Sequence, residues 1–131
     1  MGIELQYLAW SIVLGVVLLL WADVLVTHQR GLAWNSGNRE DAPAPLRGMA
    51  GRSDRAFRNF LETFPLLAAA VVGVLLSERA GPVSALGVQI YFWGRVAHAV
   101  LYVAGVRYLR SVAWVISVIG FCMVLWPLLA G

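Results

Sequence analysis

The sequence predicts an all-α integral membrane protein, a single domain over residues 1–131 built as a bundle of four transmembrane helices. Three observations carry that expectation. The chain is 60% hydrophobic and 13% charged, whereas an ordinary soluble domain is about a quarter charged. Its apolar residues gather into four stretches, each long enough, at about 1.5 Å per residue, to cross a hydrocarbon core about 30 Å thick. The segments between those stretches are polar or punctuated by glycine and proline.

The first span covers residues 5–27. It is too long for the apolar region of a signal peptide and lacks a basic flank and a small-residue cleavage site, so it is expected to be retained. Trp10 and Trp21 lie toward its ends, where aromatic side chains anchor at interfaces. A polar loop, residues 28–52, follows, with Asn35, Gly37, Asn38, Pro43, Pro45, Gly48 and Gly51 as turn signals. A loop that long in so small a domain is expected to be functional or disordered. The second span, residues 54–77, has Ser53 or Asp54 as its N-cap; its first half is charged and its second half wholly apolar. Gly81 and Pro82 make a tight turn into the third span, residues 83–106, and the fourth covers residues 111–129.

Four spans place both termini on one side. The opposite side carries Arg30, Arg39, Arg47, Arg52, Arg55, Arg58, Arg107 and Arg110, and the terminal side only Arg79. An excess of arginine marks the cytoplasmic side, so the loop is expected in the cytoplasm and the termini outside, in a bacterial-type inner membrane. All ten basic residues are arginine. A base-composition bias and a need for cations that stay charged when buried both produce that pattern, and composition does not separate them. The net charge of +3, embedded in apolar helices, excludes a nucleic-acid partner. The single cysteine, Cys122, cannot form an internal disulfide and reads as packing.

Two polar rows interrupt the apolar pattern. Arg55, Arg58, Asn59 and Glu62 fall on one face of the second span; Tyr91, Arg95, His98 and Tyr102 fall on one face of the third. Asp23, Thr27 and Arg30 share a face at the end of the first span, and Arg110, Ser111, Trp114 and Ser117 open the fourth. An ionisable group at bilayer depth costs about 2.5–3.5 kcal/mol on insertion scales, so such rows are candidate sites. The charges do not balance: seven arginines in or beside this half of the bundle face Asp23, Asp54 and Glu62. Arg30, Arg52 and Arg107 sit at helix ends and can snorkel to lipid phosphates. Arg95 lies deeper and is expected to pair with Glu62, leaving Arg55 and Arg58 for an anion. The bland alternative is a ladder of structural ion pairs locking the bundle. Tyr91 and Tyr102 read equally as interfacial aromatics, and His98 as a packing residue. No second histidine or cysteine stands at ligand spacing, so no metal is expected. Neither a Gly-x-Ser-x-Gly elbow nor a phosphate loop is present.

The stretch Arg55-Ala-Phe-Arg58-Asn59-Phe-Leu-Glu62-Thr-Phe-Pro65 resembles the second-helix signature of the membrane-associated proteins in eicosanoid and glutathione metabolism, the MAPEG family. Gly94-Arg95-Val-Ala-His98-Ala-Val-Leu-Tyr102 looks like the third-helix signature of its prostaglandin E synthase branch, close to the microsomal glutathione transferases. The resemblance spans the chain and implies a homotrimer with glutathione between adjacent subunits. By that resemblance Arg55, Arg58, Asn59 and Glu62 contact or support glutathione, with Arg95 and His98 in the adjoining signature and Tyr102 near the peptide. Arg110 corresponds to the arginine facing the thiol, and Ser111 to its polar neighbour. Arg30 and Asp41 correspond to an arginine and an aspartate of the first loop, which is shorter here. Trp114 departs from the family pattern, standing where some members have a tyrosine near the sulfur.

The residue types suit that ligand. Glutathione carries two carboxylates, an ammonium and a thiol; arginine forks match carboxylates, and Glu62 or Asp54 matches the ammonium. A free thiol has a pKa of about 8.5 and the thiolate is the nucleophile, so a nearby guanidinium favours the reactive form. The expected activity is that of a glutathione-dependent membrane transferase or peroxidase acting on lipophilic electrophiles or hydroperoxides that arrive from the lipid. Two rivals stand beside it. One is a glutathione- or lipid-binding protein without turnover, which Trp114 favours. The other is a small proton-coupled transporter, which needs a mid-membrane carboxylate on the first span, whereas Asp23 lies near its end.

Overall fold

The computed structural model describes residues 2–40 and 43–130, and among them every regular element is helical. They are α1 (Ile3–Arg30), α2 (Leu32–Ser36), α3 (Gly48–Leu76), α4 (Pro82–Ala104) and α5 (Arg107–Ala130). The four long helices are the four expected stretches. α1, α3 and α5 are each long and apolar enough to cross a membrane. α4, at 23 residues, is not in that set, because Gln89, Arg95 and His98 interrupt its apolar run.

The helices overrun their apolar stretches at the arginine-rich end, and tertiary contacts explain where they stop. α1 continues to Gly31, whose φ of +94° suits glycine and whose N–H donates to the Thr27 carbonyl at 2.8 Å. His28 and Arg30 in its last turn complement the helix dipole. α3 opens at Gly48, several residues before Ser53 and Asp54. Gly51, which reads as a breaker, is instead a close-approach site: a Cβ there would lie 3.1 Å from the Leu46 carbonyl oxygen. Ser53 is therefore an interior helix residue, buried, with its hydroxyl unpartnered, and caps nothing. Asp54 also lies inside the helix and pairs with Arg58 one turn on.

The loop is correspondingly shorter than residues 28–52. Its start is taken by the end of α1 and by α2, and the remainder folds back onto α1. The Gln29 side chain accepts from the Arg47 N–H (3.1 Å) and donates to the Arg47 carbonyl (3.5 Å), while Arg30 Nη2 donates to the Ala44 carbonyl (3.3 Å). α5 likewise starts at Arg107, ahead of residue 111.

Packing is closest between α4 and α5, along a seam of small residues. A Cβ on Gly87 would come 2.7 Å from the Gly120 carbonyl oxygen, and one on Gly94 would come 3.0 Å from Ser117 Cβ. In lipid, where burying apolar surface gives little advantage, such backbone proximity supplies the association energy. α3 and α4 each touch every other long helix, whereas α1 and α5 do not meet among the described residues. The cross-section is a rhombus with α1 and α5 at its far corners. One core cluster gathers Leu8, Leu67, Val71, Val74, Val88, Tyr91 and Val124; a second gathers Leu18, Phe60 and Ala99. At the other end of the bundle, buried Glu4 accepts a hydrogen bond from Ser84 Oγ (2.7 Å), tying α1 to the first turn of α4.

Candidate functional site

The two polar rows have opposite fates. On α4, Tyr91, Arg95 and His98 are each at most 3% exposed and Tyr102 is half-buried. On α3, Arg55, Arg58 and Glu62 are exposed on the single chain and Asn59 is half-buried. The expected pairing of Arg95 with Glu62 is not made. Among the described residues the one ion pair is Arg58 Nε to Asp54 Oδ2, 3.1 Å, one turn apart on α3. Arg95 instead lies 5.7 Å from the centre of the Phe60 ring, and its Nε and Nη1 are buried with no hydrogen-bond partner. Tyr91 is not an interfacial aromatic: its hydroxyl shares a 3.0 Å hydrogen bond with Thr63 in the α3–α4 interface.

The α4 row leads into a cleft of about 450 Å³ at the arginine-rich end, lined by Asn59, His98, Tyr102, Arg110, Ser111 and Trp114, with Val115. Three helices build it. Asn59 comes from α3, His98 and Tyr102 from one face of α4, and the others from the start of α5. The Arg110 guanidinium lies 4.3 Å from the centre of the Tyr102 ring, and the His98 ring meets that ring edge-on at 5.5 Å. Arg107 and Arg110 stand in the first turn of α5, where the helix dipole is already positive. Among the described residues no carboxylate lines the cleft. Asn59 Oδ1 and His98 Nδ1 are buried without partners, a condition that costs about 1–3 kcal/mol per atom unless something else satisfies it. The cleft therefore offers a cation and the hydroxyls of Tyr102 and Ser111. That set suits an anionic, polar ligand.

A second recess, of about 220 Å³, lies between α1, α2 and α3 at the same end. Arg30, Arg58, Asp23, Asp54, Trp34, Asn35 and Arg39 line it. Arg30 and Arg39 approach the Trp34 ring to 5.0 and 5.3 Å, and Asn35 donates to Thr27 Oγ1 at 2.5 Å. Here cations and carboxylates are mixed, which suits a zwitterion.

The candidate residues thus divide. Asn59, His98, Tyr102, Arg110 and Ser111 share the cleft; Arg30 and Arg58 share the recess; Arg55, Glu62 and Arg95 line neither. Asp41 lies outside the described residues. Trp34, Asn35 and Arg39 are gained. The sequence reading has Asn35 as a turn signal and Arg39 among the arginines opposite the termini, and the only signal for Trp34 is that it follows Arg30 at i+4, a helical spacing. Among the described residues no group of histidine, cysteine and carboxylate side chains could hold a metal.

No curated protein sequence matches the chain. The sequence matches the MAPEG family over residues 7–130, nearly its full length, and the protein is a member of that family.

Proposed function

We propose that this integral membrane protein binds glutathione at its arginine-rich end and directs the thiolate at lipophilic electrophiles or hydroperoxides. The observation that carries the reading is the cleft, where Arg110 stands with Tyr102, Ser111, Asn59 and His98 and, among the described residues, no carboxylate lines the wall. Arg110 would hold the sulfur as thiolate and Ser111 would donate to it. In conjugation the sulfur forms a bond to the electrophilic carbon and the leaving group departs with its electron pair. α4 is read as a fourth membrane span, with the arginine-rich end in the cytoplasm and both termini outside.

The division of the site supports a homotrimer. The cleft sits toward the α5 corner of the rhombus and the recess toward the α1 corner, so one chain cannot close both on one ligand. Docking the α1 edge of one copy on the α5 edge of the next, around a three-fold axis, would join recess to cleft. It would also cover Arg58 and Glu62. In that arrangement the acids of the recess meet the ligand's ammonium and the arginines its carboxylates.

The test is binding and turnover on the purified protein. Glutathione is expected to raise the melting temperature, and an activated aryl halide to be conjugated. The double variant Arg58→Ala/Arg110→Ala is expected to lose both responses. Glutathione binding that survives that pair of substitutions would overturn the site. Binding without turnover would favour a non-catalytic member, the reading that Trp114, 38% exposed at the cleft and without a hydroxyl, supports.

A further inference from the structure

α4 has two unlike faces. Its polar row points into the bundle, while Val96, Val100, Val103 and Ala104 face the other way and, with α1, bound an apolar groove of about 390 Å³. The floor is Leu18 and Ala99, both buried in the Phe60 cluster, and Trp21 and Met49 stand at the arginine-rich end. The lining runs from Leu14 to Trp21 on α1 and from Val96 to Ala104 on α4, about 10 and 12 Å along helices that head the same way. The groove is thus a slot parallel to the helix axes, open on a surface of exposed valine, leucine and tryptophan.

One charged group stands at the end of this slot. Arg52 Nε donates to the carbonyl of Val103, a groove residue, at 2.9 Å. Gly105 lets it approach: a Cβ there would lie 3.4 Å from that nitrogen, and the φ of +82° already requires glycine. One edge of the guanidinium is held by backbone. Among the described residues the two terminal nitrogens have no hydrogen-bond partner, and no carboxylate pairs with the guanidinium. Asp23 and Asp54, the acids at this level, line the recess on the other side of α1 and α3.

We propose that this groove is a binding site for an anionic phospholipid, an acyl chain lying along Leu18 and Ala99 and the phosphate taken by the free edge of Arg52. An apolar slot ending in a half-used guanidinium matches the two chemistries of that molecule in the order a bilayer presents them. A water-soluble ligand finds almost no polar atom in the slot. A second copy packed there would gain no counter-ion for Arg52 from Asp23 or Asp54, which line the recess on the other side. The site lies behind α4 from the cleft, so this lipid is a resident and not the electrophile, and the inference does not depend on glutathione.

The test uses the full chain reconstituted in phosphatidylglycerol or phosphatidylcholine of the same acyl composition, with retained lipid counted by native mass spectrometry. Wild type is expected to keep phosphatidylglycerol in preference to phosphatidylcholine. Arg52→Gln is expected to weaken that retention about fivefold, the equivalent of about 1 kcal/mol for one surface arginine on an anionic membrane. Ala104→Trp, which fills the slot and leaves Arg52 in place, is expected to abolish it. Neither change should alter the thermal response to glutathione, which also reports folding. Equal retention of the two lipids by wild type, or undiminished retention by folded Arg52→Gln or Ala104→Trp, would overturn the proposal. So would disulfide cross-linking between copies at Val100→Cys in a Cys122→Ser background, because a neighbouring chain would then occupy the groove.

Discussion

The polar rows of α3 and α4 are alike in spacing and in the residue types they use, yet one is buried in the chain and the other left on its surface. Tyr91, Arg95 and His98 are packed between helices, with Tyr91 held by Thr63, while Arg55, Arg58 and Glu62 are exposed and, among the described residues, form one ion pair, Arg58 with Asp54. A buried polar row can hold a bundle in one register. An exposed one, on a helix otherwise apolar enough to enter a membrane, is costly unless something outside the chain covers it. The difference separates what builds the protomer from what awaits a ligand or a second copy. Substitutions should therefore divide, with changes at Arg58 and at the cleft felt in binding and changes at the buried Tyr91 felt in stability.

The largest expected effect is at Arg110. Arg110→Ala should lower glutathione-dependent turnover about 100-fold or more, the magnitude of removing one preorganised electrostatic contact, with the melting temperature nearly unchanged. A parallel fall in melting temperature would move Arg110 to the structural side of the comparison. Next is Arg58→Ala, for which titration calorimetry should find glutathione binding weakened about tenfold, or about 1.4 kcal/mol. Its effect on unfolding should stay below about 1 kcal/mol, because the pair with Asp54 is a surface pair one turn apart. Smallest, and opposite in kind, is Tyr91→Phe. It should destabilise by about 1 kcal/mol in reversible unfolding, since Thr63 is left without its partner, while Tyr91→Phe with Thr63→Val should recover most of the loss. A Tyr91→Phe variant of full stability and altered glutathione affinity would contradict that division.

Much of the architecture was legible because a membrane imposes it. Runs of about 20 apolar residues gave the four long helices in order, and α3 and α4 end within about two residues of expectation. The starts of α3 and α5 were not legible. Gly48 and Gly51 read as breakers, and only contacts with Leu46 and Val103 made by residues of that turn show why α3 begins there. The candidate residues are brought only partly together. Five of them do share one cleft. The division into cleft and recess was not legible, because helical periodicity gives the angle of a side chain and not which helices meet. The same limit explains Arg95: its face was right, but pairing with Glu62 also needs that carboxylate to turn inward, and it lies on the outer side of α3.

The separation of α1 and α5 at opposite corners has a genetic consequence. Under the proposed trimer each site takes its recess from one copy and its cleft from the next, so damage to the two halves falls on different edges. A chain carrying Arg30→Ala with Arg58→Ala, both in the recess, and a chain carrying Arg110→Ala, each inactive alone, would together form mixed rings in which about one junction in three joins two intact edges. Co-expression of the two should restore measurable conjugation. A monomeric site could never be rescued that way, so two dead alleles reviving one another would report the geometry of the assembly without a structure of it.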